Sequence, residues 1–165
     1  FKGNWTISPD GISYFGSEEL MSSKEGDQVT FSFRGNGFAW IGTNSRGLSS
    51  ANIYIDGEMV EENFIIFSRR KSPHSILYSK EGLKNGLHTV RIVAQKRPYG
   101  QTQDDNAVIP IGVIKVLNDS SAGEILLIVN NQWNYTKMGL GNYMKPPIYI
   151  KPGYKNQVKM RMIGK

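Results

Sequence analysis

The feature that most constrains this chain is a period of two. Val29-Thr30-Phe31-Ser32-Phe33-Arg34 alternates apolar and polar residues, which sets Val29, Phe31 and Phe33 on one face of a strand. Asn52-Ile53-Tyr54-Ile55-Asp56 does the same, with Ile53 and Ile55 on one side and Tyr54 on the other. Asp56-Gly57 then supplies a hairpin turn, because both residues tolerate positive φ, and Met59 to Phe67 reads as the returning strand. Ser75–Ser79 is another short strand, and Leu87–Ala94 turns Val90, Ile92 and Ala94 inward. Long helix-period apolar patterns are absent.

Residues 108–117 form a nearly continuous apolar run, as expected of a strand buried on both faces. Pro110 removes a ladder donor from it, so its first part is expected at an edge or a bulge. Counted together, the first 118 residues predict about eight short strands with a turn every 8–12 residues, the signature of an antiparallel β-sandwich. The polar stretch 118–123 is the one candidate boundary. It divides a sandwich, 1–118, from a small basic β-rich appendage, 123–165, in which 131–143 reads as an aromatic loop.

Charge follows this division. Through residue 121, 13 Lys and Arg balance 13 Asp and Glu, while beyond it seven Lys and Arg face Glu124 alone and supply the whole net +6. Such asymmetry marks a separate module, a face that meets a polyanion, or a solubilising surface. There is no cysteine, which excludes disulfides, thiolate metal sites and a cysteine nucleophile. No apolar stretch is long enough to cross a bilayer, and no secretion leader is visible, so no membrane role is expected.

The order of the strand motifs carries a resemblance. EGD leads the strand VTFSFRGNGFAWIG; ANIYIDGE follows, then HSILYSKEGLKNGLHTVRIVA and AVIPIGVIKVLN. Over roughly residues 1–118 this resembles the galactose-binding-like jelly-roll modules that accompany glycoside hydrolases and esterases and occur in surface and phage tail proteins. The resemblance implies a non-catalytic domain, often carbohydrate-binding and sometimes only a spacer. It also implies an extracellular, cell-surface or virion setting. Such sandwiches often carry a structural calcium ion; Asp104-Asp105-Asn106 is the clearest oxygen cluster, without the spacing of a defined calcium loop. No other cofactor is expected.

Catalytic signatures are weak. The acidic clusters Asp56/Glu58 and Glu61/Glu62 sit in or beside a hairpin tip, where solvent leaves no means of raising one carboxyl pKa. His88 reads as a buried group tying its turn, and no G-x-S-x-G elbow or phosphate loop is present. The chain is therefore expected not to be an enzyme. Nucleic acid is the rival partner for a basic chain, but no recognised motif supports it.

The candidate ligand residues fall into three groups. On a sheet face, Tyr54 and Arg91 stand beside Trp40, if Ala39 and Ile41 form the core face; in the opposite register Trp40 belongs to the core. In loops after strands are Asn44 and Arg46, the run Arg69-Arg70-Lys71, and Tyr99 after Lys96. In the appendage are Trp133 and Tyr135. Aromatic stacking with Arg and Asn hydrogen bonds suits a polysaccharide, anionic by charge complementarity. A structural spacer, an accessory domain of a glycoside hydrolase or esterase, and homo-oligomerisation stay open.

Overall fold

The computed structural model describes residues 1–8, 18–45, 50–96 and 108–117, together with the backbone of 123–129 and 132–138. Within these residues every element is a strand and every pairing is antiparallel. The strands are β1 (Trp5–Ile7), β2 (Leu20–Ser22), β3 (Gln28–Gly35), β4 (Gly37–Asn44), β5 (Ser50–Ile55), β6 (Glu58–Ile65), β7 (Ser72–Lys80), β8 (Gly86–Gln95), β9 (Pro110–Ile111), β10 (Val113–Leu117), β11 (Gly123–Val129) and β12 (Gln132–Met138). A four-stranded sheet in the order β3-β8-β5-β6 faces a five-stranded sheet in the order β12-β11-β10-β4-β7. A small third sheet, β1-β2-β9, completes the structure. This is an all-β sandwich, as the alternation predicts.

The period-2 residues meet between the two large sheets. Val29, Phe31 and Phe33 of β3, Ile53 and Ile55 of β5, and Val90, Ile92 and Ala94 of β8 are all buried. Facing them are Phe38 and Trp40 of β4, Tyr78 of β7, and Ile114 and Val116 of β10. Phe38 stitches the layers, its ring centroid 5.6 Å from those of both Phe31 and Phe33. Tyr78, edge-on to Phe64 at 5.3 Å, closes the side where β6 and β7 meet.

Turn chemistry follows the sequence closely at the tip of β5–β6, where Asp56 (φ 52°) and Gly57 (φ 90°) both take the left-handed region. The chain crosses between sheets at Gly35-Asn36-Gly37, where a side chain has no room. A Cβ on Gly35 would collide with the carbonyl oxygen of Leu117, and one on Gly37 with that of Lys80. Asn36 fastens this corner by donating its N–H to Leu117 O (3.0 Å) and accepting from Leu83 N–H (2.8 Å). At the opposite end of β3, the buried carboxylate of Asp27 accepts three backbone N–H bonds, from Asn4, Ser23 and Lys24, at 2.9–3.0 Å.

Two sequence expectations are corrected. The apolar run 108–117 is not one strand. It breaks at Gly112 into β9, an edge strand of the small sheet that accommodates Pro110, and β10 in the large sheet. Residues 132–138, expected in an aromatic loop, form β12 of a regular hairpin with β11. That hairpin extends the large sheet, because β11 pairs with β10 from Val113↔Leu127 to Val116↔Glu124.

Candidate functional site

Trp40 is the first candidate to place, and it is a core residue. It is fully buried, and its indole Nε1–H donates to the Pro110 carbonyl oxygen at 2.8 Å. The register is therefore the one that turns Phe38 and Trp40 inward, opposite Ile114 and Val116. An enclosed ring with its only donor already used cannot serve as a sugar platform.

Tyr54 and Arg91 do share the outer face of the four-stranded sheet. Cross-strand register aligns Thr30, Arg91, Tyr54 and Met59 in one row across all four strands. The Arg91 guanidinium carbon lies 3.8 Å from the Tyr54 ring centroid, a cation–π stack that occupies that face of the phenol. Beside this row the hydroxyls of Ser32 and Thr89 bond each other at 3.0 Å.

The loop candidates converge. Asn44 ends β4 opposite Ser72, the first residue of β7; Ser50 opens β5 opposite both Ile65 and Gln95, which end β6 and β8. Ser50 Oγ donates to Lys96 O (2.9 Å), and Ser68 N–H donates to Ser45 O (3.3 Å). One end of the sandwich thus gathers Asn44, Ser45, Arg69, Arg70, Lys71 and Lys96. Arg46, Tyr99 and the Asp104-Asp105-Asn106 cluster lie outside the described residues. Asn44 Oδ1 is buried there, and no hydrogen-bond donor among the described residues reaches it. Arg69, Arg70, Lys71 and Lys96 are exposed, whereas Glu19, on the β2 side, is buried and accepts the Thr43 N–H at 2.6 Å.

A residue missed by the sequence reading completes this end. Phe67, two positions beyond β6, is 48% exposed and adjoins the basic run. Its signal was the same alternation. In Phe64-Ile65-Ile66-Phe67, Ile66 is buried, which throws Ile65 and Phe67 outward.

Trp133 and Tyr135 lie in β12, in register with Ile128 and Leu126 of β11. Through Leu126, the register of Tyr135 continues to Ile114 and Trp40.

One histidine–carboxylate pair could be mistaken for catalytic machinery. His88 Nδ1 meets Asp56 Oδ2 at 2.7 Å, while Nε2 meets the Lys84 carbonyl oxygen at 2.7 Å. Both partners are acceptors, so the arrangement favours a proton on each ring nitrogen and occupies both positions that a general base would need free. The hydrogen bond to Asp56 raises the His88 pKa above its ordinary value. Asp56 is held below the usual carboxylate range, first by the Thr89 N–H and then by His88. Among the described residues no three His, Asp or Glu side chains gather as a metal site.

No family model matches the chain. Over 93 residues, 56% of its length, it is 30% identical to an A type blood N-acetyl-alpha-D-galactosamine deacetylase of Flavonifractor plautii. It is 28% identical, again over 93 residues, to an A type blood alpha-D-galactosamine galactosaminidase of the same organism. The matched stretch is 12% of the first enzyme and 8% of the second, so it is a small part of either. More than half of this chain is thus similar to a minor portion of two carbohydrate-acting enzymes.

Proposed function

We propose that the chain is a non-catalytic glycan-binding module that serves carbohydrate-acting machinery as an accessory part. The observation that carries this reading is the convergence of Asn44, Phe67, Arg69, Arg70, Lys71 and Lys96 at one end of the sandwich. Exposed aromatic surface is what the C–H face of a sugar stacks on, and guanidinium and amide groups bond its hydroxyls. The comparisons support the reading because the segment shared with two glycan-acting enzymes is too short to be either whole enzyme. On this reading the module works where polysaccharide is met, outside the cell or at its surface. Affinity per site is modest, and a neighbouring domain or a second copy raises it.

The test is a glycan panel that includes galactosamine and N-acetylgalactosamine, the sugars in the relatives' names. It is run with wild type, Phe67→Ala and Arg70→Ala, each checked for folding. Binding by the wild type that falls at least tenfold in folded Phe67→Ala protein supports the reading. Absence of binding to any glycan by the folded wild type overturns it, as does turnover of a glycan by the isolated chain.

A further inference from the structure

The outer face of the four-stranded sheet holds an arginine in an unusual situation. Arg91 is half-buried and stacked on Tyr54, and no carboxylate among the described residues pairs with it. A guanidinium is always charged and carries five N–H donors, so a partly desolvated one ordinarily finds an anionic acceptor. Here the stack fixes its plane without consuming its N–H edges. The Tyr54 hydroxyl likewise has no hydrogen-bond partner among the described residues. Around the pair, Thr30 and Thr89 are exposed neighbours on β3 and β8, and Ser32 bonds Thr89.

We propose that this face is a second ligand site, for a carboxylate-bearing sugar of the uronic acid type. The planar fork of Arg91 takes the carboxylate in two parallel hydrogen bonds, and the Tyr54 and Thr89 hydroxyls meet the sugar's own. The charge argument selects an acid, because the fork has no protein counter-ion. The hydroxyl-lined surroundings select a sugar over a bare anion. Immobilisation by stacking lowers the entropy lost when the fork engages, which favours a preformed site over a mobile surface arginine. The face is separate from the loop-bearing end: Arg91 stands four residues before Gln95, roughly 13 Å along the strand. The proposal takes from the preceding one only that the ligand is a sugar.

The test is a titration of the isotopically labelled chain with galacturonate, and separately with galactose as its uncharged counterpart, followed by amide NMR shifts. The expected result is movement of the Thr30, Tyr54, Thr89 and Arg91 amides with galacturonate and none with galactose. Arg91→Gln, with an otherwise native spectrum, weakens the response at least tenfold, and Arg91→Lys weakens it nearly as much because the ammonium lacks the fork. No shift on this face, equal shifts with both sugars, or an unaltered titration of Arg91→Gln overturns the proposal. Because galacturonate is read at the sheet face itself, a blank glycan panel from loop-end binding leaves this result standing by itself.

Discussion

His88 ties a hairpin to an inter-sheet connection: its Nδ1 donates to Asp56 Oδ2 at the β5–β6 tip, and its Nε2 donates to Lys84 O in the segment that carries the chain from β7 of one sheet to β8 of the other. Asp56 answers with its other oxygen, which accepts the Thr89 N–H at 2.8 Å. The pair is a clasp on sandwich geometry, and its strength depends on both partners being charged.

The pH dependence follows from the two shifts. The His88 pKa is raised on folding, so its contribution is complete below the unfolded value, roughly 6.5, and fades as pH rises through the folded value. The Asp56 pKa is lowered, so its contribution is complete above roughly 3.9 and fades as pH falls through the folded value. The clasp therefore contributes most between about pH 4 and 6.5, on the order of 1 kcal/mol because Asp56 is half exposed to screening solvent. Urea midpoints at pH 5.5 and pH 8.5 should fall with rising pH in the wild type more than in His88→Gln. Equal pH slopes for the two proteins would remove the clasp from the account of stability.

Trp40→Phe should fold but lose about 2–3 kcal/mol, from the cavity left by the smaller ring and from the Pro110 carbonyl left without its donor. Trp40→Ala should cost more, about 3–5 kcal/mol. Denaturant unfolding measures both. Glycan binding by folded Trp40→Phe protein should match the wild type, since the ring has no route to a ligand.

Asp27→Asn keeps the side chain's size but replaces one carboxylate oxygen with an NH₂ donor. Either Asn4 N–H loses its acceptor at Oδ1, or Ser23 and Lys24 N–H lose theirs at Oδ2, and in both orientations the remaining bonds lose the carboxylate charge. A loss of about 2 kcal/mol is expected, measured by thermal or urea unfolding. A change below about 0.5 kcal/mol, the usual range for surface substitutions, would mean these bonds contribute little.

Strand faces were legible in the sequence because burial alternates wherever a sheet has one wet side. Val29/Phe31/Phe33 and Ile53/Ile55 fall inside for that reason, and Tyr54 and Arg91 outside. β4 was harder to read. Phe38, Ala39 and Trp40 are all buried, so period two does not name its core face. The matter is decided by tertiary contacts, the rings of β3 and the carbonyl of Pro110, which lie 5 to 70 residues away in the chain. The loop-bearing end was legible only as separate fragments. Asn44, Arg69 and Lys96 come together through pairings of β4 with β7 and of β5 with β6 and β8, and composition carries no trace of strand order. β12 was missed because Gln132–Met138 interleaves aromatic, amide and charged residues without an apolar face.

Gly35→Ala should be among the most damaging small substitutions, because the added methyl meets the backbone oxygen of Leu117 rather than a side chain that can turn aside. The same oxygen accepts the Asn36 N–H, so moving it also breaks the corner's hydrogen bond. A loss of roughly 2–4 kcal/mol is expected from unfolding midpoints. Gly57→Ala, at an open hairpin tip with φ of 90°, carries only the backbone strain and should cost less, about 1 kcal/mol.

Ile66 and Phe67 are adjacent and face opposite ways, which separates stability from binding in one pair of variants. Ile66 is 2% exposed, so Ile66→Ser buries a hydroxyl and opens a cavity in the core, at a cost of about 3–5 kcal/mol. Phe67 is 48% exposed, so Phe67→Ser should move stability by no more than about 0.5 kcal/mol. If the loop-bearing end takes a sugar, the second variant loses that ligand while melting as the wild type does. The first, where it still folds, keeps the ligand at a lower melting point. Calorimetry of unfolding beside a binding isotherm on the same samples reads both quantities. A Phe67→Ser protein that binds as the wild type does would take the aromatic platform away from this end and leave its arginines and Asn44 to carry recognition.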